Sequence, residues 1–275
     1  IDTSSGETAN CQAEIAKMAA LGLPFGVNLP IRFLSDDAML KFVCTSGVKF
    51  VTTSAGSPSK FIAPLHDAGI TVYHAVPTVD TAMKCVDAGV DGLVVEGSEG
   101  GGFKNPEEVS TLVLLQAIRA RVNVPMIAAG GISTGEDIAH FMGLGAAGVQ
   151  MGSIFVTTQE CDASETFKEV YIHSKSEDVL IIESPVGMPG RAIDGEFIHN
   201  VNSGLERPKS CSFHCIKTCD YTKSPYCIIK ALYNAAKGNM KKGYAFAGSN
   251  AFLADKISSV REVMNTLERE FFLAT

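Results

Sequence analysis

The chain has 275 residues, 46% of them hydrophobic and 19% charged, with no tryptophan. That length suits one large domain, or a barrel of about 200–250 residues with an appendage, and an ordinary apolar fraction at low charge excludes disorder. Lys and Arg number 23 against 30 Asp and Glu, a net charge of −7, so the basic footprint that nucleic acid requires is missing, and no apolar stretch approaches the roughly 18–20 residues that span a bilayer.

The first residues, Ile1-Asp2-Thr3-Ser4-Ser5, include no Met, and they lack the basic start and apolar run of a secretory signal, which predicts a cytoplasmic protein. Thr8, Cys11, Ile15, Met18 and Ala19 then recur at three-to-four spacing, consistent with one buried helical face. Six short apolar runs follow: Pro24 to Leu29, Lys49 to Thr53, Thr71 to Val76, Gly92 to Glu96, Val124 to Ala129 and Ala147 to Met151. Their starts lie roughly 20 to 33 residues apart, the spacing of successive strand–helix units rather than of hairpins. They are apolar on both faces, as parallel strands covered by helices are. The intervening amphipathic segments end in one phrase, His66-Asp67-Ala68-Gly69-Ile70, Val86-Asp87-Ala88-Gly89-Val90-Asp91 and Met142-Gly143-Leu144-Gly145-Ala146. The glycine there predicts a helix C-cap and the next apolar residue a strand start.

Tandem units of this kind form a (β/α)8 barrel or an open doubly wound sheet. The barrel is favoured, because polar residues stand at the C-terminal ends of most strands: Asn28, Thr52-Thr53-Ser54, His74, Glu96, Ala129-Gly130-Gly131 and Gln150-Met151-Gly152-Ser153. Any one of these reads equally well as a cap or turn residue; six in succession do not. Gly130-Gly131-Ile132-Ser133-Thr134 after the fifth run and Gly152-Ser153 after the sixth provide paired glycine loops, whose N–H groups and hydroxyl suit a phosphate. A lone Gly-Gly would be an ordinary turn.

Glu96-Gly97-Ser98-Glu99-Gly100-Gly101-Gly102, Ile127-Ala128-Ala129-Gly130-Gly131-Ile132 and Val149-Gln150-Met151-Gly152-Ser153-Ile154-Phe155, with Val27-Asn28 after Pro24-Phe25-Gly26, together resemble the nitronate monooxygenase (2-nitropropane dioxygenase) family, which includes flavin-type enoyl-acyl-carrier-protein reductases. The resemblance covers residues 7 to 160 and thins beyond. It implies FMN in a TIM barrel, with Asn28, Glu96 and Gly101 near the flavin ring and Gly130, Gly131, Gln150, Met151, Gly152 and Ser153 around the phosphate. It implies an oxidoreductase that oxidises a nitronate-like substrate or passes hydride from NAD(P)H through FMN to an acceptor, with small molecules as partners and a homodimer as the assembly. It also implies that the family's first strand and most of its second precede Pro24, leaving Ile1 to Ser5 as the exit of strand two and Glu7 to Leu21 as the next helix. The expected division is therefore 1–160 as FMN-binding barrel, strands three to eight, and 161–275 as an insertion and cysteine-containing cap.

One departure bears on chemistry. Relatives that oxidise nitronates close the glycine loop with a His, and here Phe103 stands in that place. Phenylalanine cannot abstract a proton, so the catalytic base is unassigned; His74 is a weak substitute, equally readable as a satisfied core histidine. Restoring the base by Phe103→His is expected to raise nitroalkane oxidation. A barrel of the inosine-monophosphate dehydrogenase type is the alternative, but it needs a nucleophilic Cys that the stretch from Gly97 to Asn105 lacks. A non-catalytic, cluster-bearing relative is a third reading.

Four of the eight cysteines crowd together as Cys211, Cys215, Cys219 and Cys227, with His214 among them. On a helix the first three share a face, and four thiolates suit zinc or an iron–sulfur cluster, although the spacing matches neither zinc ribbons nor ferredoxins. A buried cysteine-rich helix face is the competing reading. Val179 to Ile182 reads as a strand before the turn-rich Glu183-Ser184-Pro185-Val186-Gly187-Met188-Pro189-Gly190-Arg191, in which Arg191 reads as a surface ion pair, while the resemblance, which places such a loop over the flavin, implies a cofactor or substrate phosphate contact. Residues 225 to 237 predict a helix ended by Gly238, and Val260 to Leu273 a closing amphipathic helix.

Overall fold

The computed structural model describes residues 1–3, 8–34, 37–104, 107–211 and 219–275. Its strands are β1 (Gly26–Pro30), β2 (Phe50–Ser54), β3 (Thr71–Val76), β4 (Gly92–Glu96), β5 (Gly102–Phe103), β6 (Met126–Ala129), β7 (Gly148–Gln150), β8 (Val179–Ile182) and β9 (Gly190–Ile193). Its α-helices are α1 (Thr8–Ala20), α2 (Ala38–Thr45), α3 (Ser59–Asp67), α4 (Val79–Asp87), α5 (Thr111–Arg119), α6 (Gly135–Gly143), α7 (Ser153–Val156), α8 (Glu165–Ile172), α9 (Glu196–Asn202), α10 (Ile228–Ala236) and α11 (Val260–Ala274). One sheet has the order β1-β2-β3-β4-β6-β7 and a second the order β5-β9-β8. Strands that neighbour one another in chain order with helices between them are the wiring of a (β/α)8 barrel, six of whose strands are described. Contacts divide the chain into two units, Ile1–Glu96 with Leu114–Ile127, and Gly97–Val113 with Ala128–Thr275.

In the first unit β1 to β4 pair in parallel, with Val27 beside Val51, Val51 beside Val72 and His74 beside Leu93. Successive strand residues point to opposite faces. Val27, Leu29, Val51 and Val72 are buried and pack with Cys11 and Ile15 of α1, Val43 of α2 and Phe61 and Leu65 of α3. This is the helix-facing core. Asn28, Thr52 and Tyr73 alternate with these residues and are half-buried on the other side. On α1 the expected face is narrower than its spacing suggested: Cys11 and Ile15 are buried, whereas Thr8 and Ala19 are exposed. Asp2 forms a parallel bridge with Asn28, and the Asn28 N–H donates to the Ile1 carbonyl at 2.7 Å. The first residues thus run beside β1, as the resemblance implies.

In the second unit α6 begins in a capping box: the Thr134 hydroxyl accepts from the Asp137 N–H and the Asp137 carboxylate accepts from the Thr134 N–H. The antiparallel sheet sets Phe103 opposite Gly190 and Ile181 opposite Arg191. Its Ile182 and Ala192 join Phe197, Tyr226 and Tyr244 in a buried cluster, with Phe103 and Phe246 packed against it. The aromatic rings meet largely edge to face, as their quadrupoles prefer: Phe103–Phe246 at 5.4 Å and Tyr244–Phe246 at 5.0 Å between centroids. The buried Tyr171 hydroxyl donates to the Phe246 carbonyl and fixes this chain segment from α8.

Candidate functional site

The second unit gathers three loops. The glycine loop after β4 is held at both ends, since the Gly97 N–H donates to the Ala129 carbonyl at 3.1 Å and the Ser98 N–H to the Val109 carbonyl at 2.9 Å. Within it, Glu99 Oε2 accepts from the Thr111 N–H at 2.9 Å and from the Thr111 hydroxyl at 3.0 Å. The same hydroxyl lies 3.0 Å from the carbonyls of Ala129 and Gly130, so its single proton has three acceptors in reach. Gly130 has φ +103°, and a Cβ there would stand 2.8 Å from the Gly100 nitrogen. Both the backbone sign and the close approach therefore require glycine. The third loop closes on the first: a Cβ on Gly101 would stand 2.9 Å from the Gly248 nitrogen.

That third loop, Ala247 to Asn250, is tied by side chains and backbone alike. The Ser249 N–H donates to the Glu99 carbonyl at 2.8 Å, the Gly248 N–H to Ser153 Oγ at 2.9 Å, and Asn250 Nδ2 to the Gly131 carbonyl at 2.7 Å. Arg191 Nε donates to the Ser98 carbonyl at 2.9 Å. These bonds bring Gly101, Gly130, Gly131 and Ser153 into one assembly. They also show which donors are already taken. The Ser133 and Thr134 N–H groups reach Asp137 Oδ2 at 2.8 and 3.0 Å, and the Gly135 N–H reaches Glu270 Oε2 at 2.9 Å. The start of α6 is thus closed by the protein's own carboxylates. Around Gly152 the backbone is open: it is exposed, and no atom lies within 4 Å of where its Cβ would stand. Gln150 is exposed and Met151 half-buried beside it.

In the first unit Asn28 sits in a polar row: its Nδ2 donates to Asp2 Oδ1 at 2.9 Å and its Oδ1 accepts from the Thr52 hydroxyl at 3.0 Å. Glu96 ends β4 half-buried. Ala55, just past β2, holds φ +54°, a conformation uncommon outside glycine that concentrates at functional sites. His74 lies elsewhere. It is 2% exposed, shares the helix-facing side of β3 with Val72, and its Nδ1 is 2.7 Å from the Thr53 hydroxyl. Burial pushes its pKa down to about 4, so it is a neutral core histidine on the face opposite Asn28. Phe103 turns its ring into the apolar cluster against Phe246.

Among the described residues, no group of three or more His, Cys, Asp and Glu side chains is placed to hold a metal. Cys211 and Cys219 are outside any helix and Cys227 precedes α10 as its N-cap, so the helical face expected to align Cys211 and Cys219 is not formed at those residues. Cys215 and His214 lie outside the described residues. Sequence reasoning missed Thr111 and the tethering role of Glu99, whereas Ala247 to Ala251 resembles a family turn that returns towards the active-site mouth. The signal that could have raised Glu99 is a carboxylate inside a glycine run, where little else can anchor the backbone.

The chain is 31% identical over 192 residues to a probable nitronate monooxygenase of Staphylococcus saprophyticus, covering 65% of this chain and 54% of that protein. It is 32% identical over 180 residues to the (3aS,4S,5R,7aS)-5-hydroxy-7a-methyl-1-oxo-octahydro-1H-indene-4-carboxyl-CoA dehydrogenase of Rhodococcus jostii, covering 65% and 50%. It thus spans about half the length of these curated relatives. Among solved structures, FabK from Thermotoga maritima superposes with a TM-score of 0.83 at 28% identity, over 97% of this chain and 82% of that one. The nitroalkane oxidase of Streptomyces ansochromogenes also gives 0.83, at 21% identity over 100% and 88%, and shares the fold. The family model for nitronate monooxygenase matches residues 3–270, and with the tethered glycine loops in place the chain belongs to the nitronate monooxygenase family.

Proposed function

We propose that the protein is an FMN-dependent oxidoreductase whose substrate arrives ready for electron transfer, an anionic nitronate or the hydride of NAD(P)H, rather than as a neutral nitroalkane that must first lose a proton. The observation that carries this reading is the fate of the two base candidates. Phe103 is packed on Phe246, and His74 is buried against Thr53 on the helix-facing side. A base must come within hydrogen-bond reach of the proton it takes.

The chemistry of the second unit fits a flavin phosphate. Gly130 and Gly131 both have positive φ, at +103° and +76°, the conformation of glycine turns of the kind that present backbone N–H groups to an anion. Gly152 is open on its Cβ side, and the Ser153 hydroxyl, which accepts from Gly248, keeps its own proton to donate. Gly130, Gly131, Gln150, Met151, Gly152 and Ser153 would hold the phosphate, with Gly101 near the flavin ring. Asn28 and Glu96 are proposed as ring contacts on the family resemblance. Bound FMN supplies a two-electron relay between donor and acceptor. The chain's own contribution is to fix the loops and orient the substrate.

The test is a visible absorption spectrum of the purified protein with and without added FMN, followed by turnover. The two bands of oxidised flavin, bleaching with NADH or NADPH, and oxygen uptake with an alkyl nitronate but not with its parent nitroalkane are expected. A protein that stays colourless after FMN addition overturns the reading.

A further inference from the structure

The second unit holds a cation that no carboxylate answers among the described residues. On β9, Gly190 and Ala192 are buried, and Ala192 belongs to the aromatic cluster, whereas Arg191 and Ile193 face the other way. Ile193 packs there with Ala245 and Ala247. Opposite Arg191 on β5 is Gly102, and no atom lies within 4 Å of where a Cβ would stand on it. The Arg191 side chain therefore has space along β5. Its Nε donates to the Ser98 carbonyl at 2.9 Å, and its backbone carbonyl accepts from the Ala247 N–H at 3.1 Å. The guanidinium is thus fixed by one donor beside the glycine loop.

Its two Nη groups meet no acceptor among the described residues, and it forms no ion pair there. Glu99, the carboxylate of the adjoining loop, already accepts twice from Thr111. Arg191 is half-buried, and its Nη donors are left to a ligand or to solvent. The planar pair of Nη donors matches two oxygens of one anion.

We propose that Arg191 receives an oxyanion of the substrate, a nitronate or carboxylate held by both Nη groups, while Nε keeps the glycine loop in place. This deepens the flavin reading and rests on it for turnover, although binding can be tested without it. The shared chemistry also admits a coenzyme phosphate as the source of the anion. Arg191→Gln and Arg191→Lys are compared with the parent protein on four readouts: calorimetric titration of flavin-free protein with propionate, FMN affinity, KM for an alkyl nitronate, and KM for NADH, NADPH and a neutral quinone.

Arg191→Gln is expected to weaken propionate and raise the nitronate KM about tenfold or more, the scale of a lost charged hydrogen-bond pair. Lysine recovers part of this, because it restores the charge without the fork. The quinone KM, measured at saturating FMN, stays within about twofold of the parent. A rise confined to NADPH also supports the oxyanion site and assigns it to the coenzyme phosphate. Equal losses with nitronate and quinone at saturating FMN, or unchanged propionate binding, each overturn the proposal. If the parent itself binds no FMN, the flavin reading fails, and the propionate titration still decides Arg191. Where Arg191→Gln does not fold, Arg191→Lys against the parent carries the same comparison.

Discussion

The Glu99 carboxylate accepts from both the backbone N–H and the hydroxyl of Thr111, at 2.9 and 3.0 Å, and so ties the glycine loop to the start of α5. Thr111 is 1% exposed, so water does not replace a lost partner there. In Glu99→Ala the hydroxyl can turn to the carbonyls of Ala129 or Gly130 at 3.0 Å, but the N–H is left unsatisfied. We expect a loss of about 1–3 kcal/mol, read as a melting temperature lowered by several degrees. Glu99→Gln keeps an acceptor oxygen and costs less, about 1 kcal/mol or below. Equal melting of Glu99→Ala and parent would show that the loop is held by its backbone bonds alone.

Two glycines separate packing from ligand binding. A Cβ on Gly135 would stand 2.2 Å from the Leu267 carbonyl and 2.4 Å from the Phe271 nitrogen, backbone atoms of α11 that cannot turn aside. Gly135→Ala should therefore push α11 from α6 and destabilise by about 2–3 kcal/mol or more in thermal unfolding. Gly152 has φ −128° and open space where a Cβ would go. Gly152→Ala should melt within about 0.5 kcal/mol of the parent while weakening FMN, since the methyl would occupy room assigned to the phosphate. Unchanged FMN affinity in that variant would remove Gly152 from the site.

His74 gives stability a pH dependence in a defined window. Its folded pKa is lowered to about 4 by burial, from an unfolded value of 6.5. Between those values the unfolded chain binds a proton that the folded chain does not, so stability rises with pH across the window and falls on acidification. Above pH 6.5 the contribution is fully present; it is lost as pH falls towards 4, by up to about 3 kcal/mol. His74→Gln should flatten this part of a denaturant-midpoint profile while retaining an acceptor for Thr53. A slope that survives the substitution would place its origin in other groups.

The strands most legible in the sequence are those flanked by glycine-ended helices: Thr71–Val76 and Gly92–Glu96 stand where their apolar runs begin and end. Gly69 and Gly89 hold the positive φ that a helix C-cap needs. The antiparallel sheet was not legible beyond Val179–Ile182, because β5 is two residues whose partner lies far along the chain, and no periodicity can appear in a strand that short. His74 was legible in principle. Val72, His74 and Val76 alternate in a strand whose buried face is apolar, and that period already placed the imidazole in the core. Thr111 was not, since its part is set by Glu99 across a loop that pattern cannot fold.

Phe103→His tests the missing base, and the packing of Phe103 leads to an expectation opposite to the one drawn from sequence. Phe103 pairs with Gly190 across β5 and β9, and its ring meets Phe246 at 5.4 Å, inside the cluster of Ile182, Tyr226 and Tyr244. Arg191, opposite Gly102, is on the other face of that sheet. A histidine at 103 would enter the largely apolar cluster, where burial favours the neutral ring. The expected result is a stability loss of about 1–3 kcal/mol with no gain in nitroalkane oxidation. Nitronate turnover should persist, because that substrate needs no proton removed. Oxygen uptake with a nitroalkane and with its nitronate, measured on the same preparation, decides it: a rise with the nitroalkane alone would show that residue 103 reaches the substrate and that the aromatic cluster opens to let it.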